Sequence, residues 1–423
     1  MDPIRIALIG AGRRGQSVYK ELLTSLQTHR KIKVVAVCDP LIENAVNIAQ
    51  AFNAKAYSSI QQLVKDKPME ACLVVTPEIS HYGISIYLSQ NKIHHAVETP
   101  MASTLKQCRL MKIAAEKNNV TLHINEQFFR RESIQLAKIA LRKNIIGTAH
   151  RITSFQGHTG YHNNSVWQYL LDSKPVAVNC VKHTMPVHEY LDVAKRRHTT
   201  EEFNIHIIHF ENGAIVTDMA GNIKSALGRY PRNGYLEIDG THGTIIEYND
   251  ATPEPWSSKF QIRLVDEKNY ENKAYADYYQ GIYKSEESDL SQNTNIPHRW
   301  NFYDLSCKTP HETITYKNPC YALGVINNYQ SSVATSLLNF IDTLQNKATL
   351  DFPLSMAIQS QEILSALELS AELSGARVKL PIADEVSSET KFLQDYKNNT
   401  GIDLMDIEQV INFKAPINYE SKK

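Results

Sequence analysis

Gly10-Ala11-Gly12-Arg13-Arg14-Gly15 is a GxGxxG run in a chain with only 17 glycines. It follows the apolar, strand-length segment Ile4–Ile9 and precedes a helical pattern that puts Val18, Leu22 and Leu26 on one side. In that setting the run is a dinucleotide-binding fingerprint. Gly10 makes the tight turn, Gly12 lets the backbone approach a pyrophosphate, and Gly15 lets the helix pack closely on the strand. The helix N-terminus then offers its N–H groups and the positive end of its dipole to the phosphates. A second strand ends at Asp39, whose carboxylate can accept hydrogen bonds from the adenosine ribose hydroxyls. A carboxylate there repels a 2′-phosphate, and Pro40 rather than an arginine follows it. NAD is therefore favoured over NADP, although Arg13 or Arg14 could also reach a 2′-phosphate.

Further polar residues sit where strands end. Val75-Thr76-Pro77 closes the run Ala71–Val75 and is followed by Ser80-His81, while Glu98-Thr99-Pro100 closes the run His94–Glu98. Later, His158-Thr159-Gly160-Tyr161-His162-Asn163-Asn164-Ser165 leads into a helix with Val166, Tyr169 and Leu170 on one side. A neutral imidazole, with a pKa of about 6.5, is suited to take a proton near neutrality. Lys182 and His183 form a second basic pair on a strand expected at Val176–His183, and the plain reading of Lys182 is an exposed strand lysine. His188 beside Glu189 reads as a surface helix pair.

The joint pattern Thr76-Pro77, His81 and Glu98-Thr99-Pro100 resembles the TP…H…EKP signature of the Gfo/Idh/MocA oxidoreductases. That family includes glucose-fructose oxidoreductase and inositol dehydrogenase. The resemblance extends over about residues 4–382, and Gly375-Ala376-Arg377-Val378-Lys379-Leu380-Pro381 is similar to the family's usual ending. It implies an N-terminal Rossmann domain, a C-terminal α/β domain with a largely antiparallel sheet, and hydride transfer on a sugar, polyol or related carbonyl with NAD or NADP. By resemblance, Thr76, Pro77, His81, Glu98 and Thr99 line the nicotinamide side of the cofactor cleft.

The chain departs from the pattern twice. The lysine of Glu-Lys-Pro, which handles the substrate proton and stabilises the developing alkoxide, is replaced by Thr99. A threonine hydroxyl neither titrates near neutrality nor carries positive charge. The family's Asp-x-Gly-x-His-x-x-Asp is best matched at His158–Ser165, which keeps Gly160 and His162 but replaces both aspartates. The resemblance makes His162 the acid/base, with Tyr161, His158 or Lys182 standing in for the absent lysine. Three functions remain open: an NAD-dependent oxidoreductase acting on CH–OH groups, an NAD-dependent glycosidase working by transient oxidation and elimination, and a non-catalytic NAD-binding protein.

The elements that position these residues fall into two kinds. Over residues 1–125, β-branched runs at Ile4–Ile9, Lys33–Cys38, Ala71–Val75, His94–Glu98 and Val120–Ile124 alternate with helical patterns at Ile42–Phe52, Ser80–Gln90 and Thr104–Lys117. Alternation of this kind predicts a doubly wound parallel sheet. Residues 126–382 read as an α+β substrate and oligomerisation domain. A helix at Glu132–Lys143 leads to a strand at Ala149–Phe155, and Asn212-Gly213 and Gly240 to Gly243 mark hairpins of a large, mainly antiparallel sheet. Two late helices are expected on that sheet, one with Val333, Leu337, Ile341 and Leu344, the other with Leu364, Leu367 and Ala371 and capped by Gly375. The polar, Tyr-rich residues 250–320 read as an insertion rather than core, serving as a lid or an oligomer contact or forming a decorated surface loop. Residues 383–423 read as a tail draped over the surface.

The chain has 423 residues, with 45 Lys plus Arg balanced by 45 Asp plus Glu. A neutral balance argues against a nucleic-acid partner. The N-terminus lacks the basic and long apolar regions of a signal peptide, and no stretch approaches the roughly 18 apolar residues of a membrane span. Cys38, Cys72, Cys108, Cys180, Cys307 and Cys320 are too scattered for a metal grouping or redox pair. The expectation is a cytoplasmic protein without a bound metal, acting on a small sugar-like substrate, and pairing as a homodimer or homotetramer through its C-terminal sheet.

Overall fold

The computed structural model describes residues 2–155, 160–191, 197–221, 235–249, 258–265, 279–289, 303–320, 323, 328–383 and 385–412. The short apolar runs of the first third become β1 (Ile4–Ile9), β2 (Ile32–Cys38), β3 (Lys55–Tyr57), β4 (Ala71–Val74), β5 (His94–Val97) and β6 (Leu122–Ile124). They form a parallel sheet in the order β3-β2-β1-β4-β5-β6. Helices α1 (Lys20–Thr28), α2 (Ile42–Gln50), α3 (Ile60–Asp66), α4 (Glu78–Gln90) and α5 (Leu105–Lys117) connect them. Burial on both faces explains the near-continuous apolar strands, with Ala7, Leu8 and Ile9 all buried. Strand order reverses between β1 and β4, and the crevice outside their carboxyl ends is where such sheets bind ligands.

β3 and α3 were not legible as separate elements. β3 is only three residues long, and α3 is polar apart from Ile60, Leu63 and Val64. Its start is fixed instead by Ser59, whose hydroxyl accepts a hydrogen bond from the Gln62 N–H.

The second domain contains α6 (Glu132–Arg142), β7 (Ala149–Phe155), α7 (Gly160–Leu171), β8 (Pro175–Leu191), β9 (Arg197–Phe210), β10 (Ile215–Ala220), β11 (Tyr235–Gly240) and β12 (Gly243–Asn249). It continues with β13 (Ser258–Val265), β14 (Tyr279–Asp289), β15 (Tyr303–Lys308), β16 (Thr313–Tyr316), α8 (Asn328–Leu344), α9 (Leu354–Glu372) and β17 (Val378–Lys379). The strands form one sheet in the order β16-β15-β14-β13-β12-β11-β7-β10-β9-β8-β17. Its neighbours run antiparallel except β7 and β10, which are parallel. Both expected hairpins form, β9–β10 around Gly213 and β11–β12 after Gly240.

Several expectations need correction. Four strands of the sheet fall within residues 250–320, with Phe260, Ile262, Leu264, Leu305, Cys307 and Ile314 buried. Phe260, Ile262 and Leu264 alternate along β13, and the described part of the stretch belongs to the large sheet. Tyr270, Tyr275 and Tyr278 lie outside the described residues. β8 runs well past His183, so His188 and Glu189 lie on a strand, not a helix.

Only one of the two late helices packs on this sheet. α9 lies against β8, where the Ser370 hydroxyl accepts from the Cys180 N–H at 2.8 Å. α8 instead covers the parallel sheet. Its Val333, Leu337, Phe340 and Ile341 share a core with Ile6, Leu23, Leu26 and Leu73. The described part of the tail forms α10 (Ser387–Thr400) and α11 (Ile407–Ile411). Among the described residues, no helix is long and apolar enough to cross a membrane.

Candidate active site

The carboxyl ends of β1, β2, β4 and β5 border a cleft of about 850 Å³. Gly10, at φ +97°, turns the chain away from β1 so closely that a Cβ there would stand 2.5 Å from the Val75 carbonyl oxygen. Gly12 is the opposite case. A Cβ on Gly12 would meet nothing within 4 Å, so this backbone faces the open cleft. Gly15 packs against the turn, its Cβ position lying 2.8 Å from the Gly10 carbonyl oxygen. The helix that follows opens with a π-helical turn, Gly15–Tyr19, before α1 begins.

Asp39 forms the wall at the end of β2. Its carboxylate accepts from the Ala11 N–H at 2.8 Å and the Leu41 N–H at 2.9 Å. The two arginines separate. Arg13 lines the cleft, and Arg14 donates through Nε to Glu98 Oε1 at 2.6 Å. Arg14 is thus drawn to the end of β5, away from a 2′-phosphate beside Asp39. A turn with an open glycine, a helix start and a ribose-side carboxylate fits a dinucleotide, with Gly10–Gly15 at its pyrophosphate and Asp39 at its adenosine ribose.

Glu98 is the hub of the other end. Its carboxylate accepts from the Tyr19 hydroxyl at 2.6 Å and from the Thr99 N–H at 3.1 Å. The Asn125 amide donates in turn to the Tyr19 oxygen. Thr76, Pro77, Glu98 and Thr99 all line the cleft, and the Ser80 hydroxyl donates to Thr76 Oγ1 at 2.8 Å. His81 does not line it. Its ring is buried, with Nδ1 2.9 Å from the Pro100 carbonyl and Nε2 2.9 Å from the Thr76 carbonyl. It staples the loop after β4 to the loop after β5.

His162 lies on α7 with its Nδ1 2.8 Å from Glu126 Oε2 and 3.0 Å from Oε1. The ring stacks on Phe128, centroids 4.0 Å apart. Glu126 is fully buried and also accepts from the Phe128 N–H at 2.7 Å. A carboxylate accepts from an Nδ1–H, and in the tautomer with its proton there the basic nitrogen is Nε2. Asn125 and Glu126 are consecutive, so the residue bonded to the Glu98–Tyr19 pair adjoins the residue that orients His162. Glu126 was not singled out from the sequence. The available signal was its place just past the end of β6, on the ligand-binding edge of a parallel sheet.

The remaining candidates are placed differently. Tyr161 is buried edge-on to His162, and burial together with the nearby Glu126 charge pushes its phenol well above the ordinary range, so it stays protonated. His158 lies outside the described residues. Lys182 sits on β8 with its ammonium 2.6 Å from both Glu368 oxygens and is not among the cleft residues. Among the described residues lining the cleft, the cations are Arg13 and Arg14.

Residues 4–126 match the family described as "Oxidoreductase family, NAD-binding Rossmann fold" (GFO_IDH_MocA). Among curated proteins, the 2,7-anhydro-N-acetylneuraminate hydratase of Escherichia coli K12 is 30% identical over 34% of this chain. That match spans 37% of the hydratase, little more than a third of its length. The NAD-dependent scyllo-inositol 2-dehydrogenase of Bacillus subtilis is 25% identical over 57% of this chain and 73% of its own. Among solved structures, levoglucosan dehydrogenase in complex with NADH and L-sorbose shares the fold, with a TM-score of 0.63, 17% identity, and coverage of 90% of this chain and 100% of that one.

Proposed function

Starting from a chain whose residues 4–126 are an NAD-binding Rossmann domain of the Gfo/Idh/MocA oxidoreductase family, we propose an NAD-dependent oxidoreductase acting on a secondary alcohol or ketone of a sugar, polyol or derivative. The observation that carries this is the Glu126–His162 pair, joined through Asn125 to the Glu98 end of the cofactor cleft. NAD, held by the Gly10–Gly15 turn and Asp39, would supply the hydride acceptor or donor for the carbinol carbon. His162 takes the hydroxyl proton on Nε2, and the Glu126 carboxylate stabilises the imidazolium that forms. Glu98 keeps the Arg14 guanidinium at the reacting end, the nearest substitute for the charge that Thr99 does not supply. Asp39 selects NAD over NADP. Lys182, tied to Glu368, serves the fold.

The substrate class follows the relatives, which include a polyol dehydrogenase and a sugar-derivative hydratase. The absence of lysine among the described cleft residues favours a second reading. In it, NAD is used catalytically, by transient oxidation, elimination and re-reduction, as in an NAD-dependent glycosidase. The experiment that separates the two offers the protein NAD with a panel of free sugars, polyols and chromogenic glycosides. Stoichiometric NADH is expected for the oxidoreductase. Release of aglycone without net NADH would replace it with the glycosidase, and NAD binding with neither product would make the protein non-catalytic.

Six buried free thiols favour a reducing cytoplasmic setting. A second copy of the chain docks on the face of the large sheet that the described residues leave open, where Val181, Ile205 and Ile215 are 55%, 38% and 38% exposed on adjacent strands. Light scattering checks this, with a dimer or tetramer expected and a monomer at micromolar concentration the contrary result.

A further inference from the structure

The last described segment of the tail borders the cofactor cleft. Val410, Ile411 and Asn412 line the same cavity as Gly12 and Asp39. On one flank, Gln61 of α3 donates to Asn412 Oδ1 at 2.8 Å. On the other, Val410 packs on α4 at Gly83, where a Cβ would stand only 2.6 Å from Val410 Cγ1. Ile411, between these two contacts, lines the cleft together with Asp39 and the β3–α3 loop, on the adenosine half.

This crossing is anchored. Val410, Leu404 and Tyr396 bury against Ile79 in a small apolar cluster. The Gln107 amide donates to the Leu404 carbonyl at 3.2 Å. Glu389 accepts from the Leu105 N–H at 2.9 Å, capping the start of α5, and also from the Ser365 hydroxyl. The tail is thereby tied to α3, α4, α5 and α9, and its last turn is held over the site.

We infer that residues 410–412 are a third wall of the dinucleotide site, and that this wall makes NAD a retained cofactor. In a cleft bounded only by strand ends and loops, the adenosine leaves by moving outward. Here that path meets Val410 and Ile411, which are 3% and 8% exposed. Exit requires α11 to lift, exposing both side chains and parting Gln61 from Asn412. Those losses fall on the opening step, so they slow release of NAD more than they alter its contacts once bound. The inference rests on the proposed cofactor site but is indifferent to which reaction that site runs.

The test measures how fast NAD bound to the full-length protein exchanges with labelled NAD in excess. Wild type is expected to retain NAD through gel filtration. Gln61→Ala with Asn412→Ala, a pair at the surface, and Val410→Ala with Ile411→Ala should each speed exchange about tenfold or more, the loss of a hydrogen bond or of modest apolar burial. The first pair keeps the test valid if the second perturbs folding. Exchange within twofold of wild type in the surface pair would overturn the wall. A wild-type protein that binds no NAD would overturn both the wall and the cofactor site, and is thereby distinct from a site that binds NAD and releases it freely.

Discussion

Replacing His162 by alanine should lower turnover about a thousandfold, the usual scale of a lost general base, while NAD affinity stays within about twofold. The split follows from placement: His162 is held by Glu126 and Phe128 and is not among the residues lining the cofactor cleft. Removing the ring also deprives a fully buried carboxylate of its imidazole donor, which itself costs stability. His162→Asn is the companion variant, because its amide can still donate toward Glu126 yet offers no basic nitrogen. It should fold like wild type and be as inactive as the alanine variant. Glu126 acts through His162, so Glu126→Ala and the double variant should be no slower than His162→Ala alone, a strongly non-additive result. A double variant slower by the product of the two single effects would give Glu126 a separate role. Turnover within about fivefold of wild type in His162→Asn would remove His162 from the proton transfer.

Gly12→Val should leave the fold intact and reduce NAD affinity by at least about a hundredfold, which corresponds to roughly 2.7 kcal/mol. The added Cβ meets nothing within 4 Å, so the side chain extends into the cleft volume proposed for the pyrophosphate. Titration of NAD and a thermal melt of the ligand-free protein read the two halves separately. Gly10→Ala provides the contrast. At φ +97° and with Val75 oxygen 2.5 Å from the new Cβ, that substitution should lower the melting temperature itself. Equal NAD affinity in Gly12→Val and wild type would place the phosphates elsewhere.

The two predictions also mark what the sequence could show. The glycine loop, Asp39 and the strand-ending Thr76 and Glu98 were legible because a turn, a helix start and a strand end are local events, each written in a few consecutive residues. Glu126 was not, because its meaning lies in a partner from another element, α7, and only the folded chain brings them within 3 Å. His81 was legible as a member of a motif but not as a staple between two loops, since both of its partners are backbone carbonyls. The stripe Val333, Leu337 and Ile341 announced an apolar helix face, but periodicity does not name the surface it meets. Phe260, Ile262 and Leu264 alternate as a strand should, yet three residues amid polar neighbours gave too short a window. The apolar residues of α10 and α11 were diluted in the same way, which is why an ordered tail read as a loose one.

α8 carries a consequence for synthesis. The parallel sheet is complete by residue 124, but one of its faces is finished only by Leu337, Phe340 and Ile341. A nascent chain that has released its first six strands therefore still shows apolar surface to the solvent, and keeps showing it until most of the polypeptide has left the ribosome. Domains that emerge first usually fold first. This one must wait, or be shielded by a chaperone, and an isolated fragment ending near residue 125 should aggregate rather than bind nucleotide.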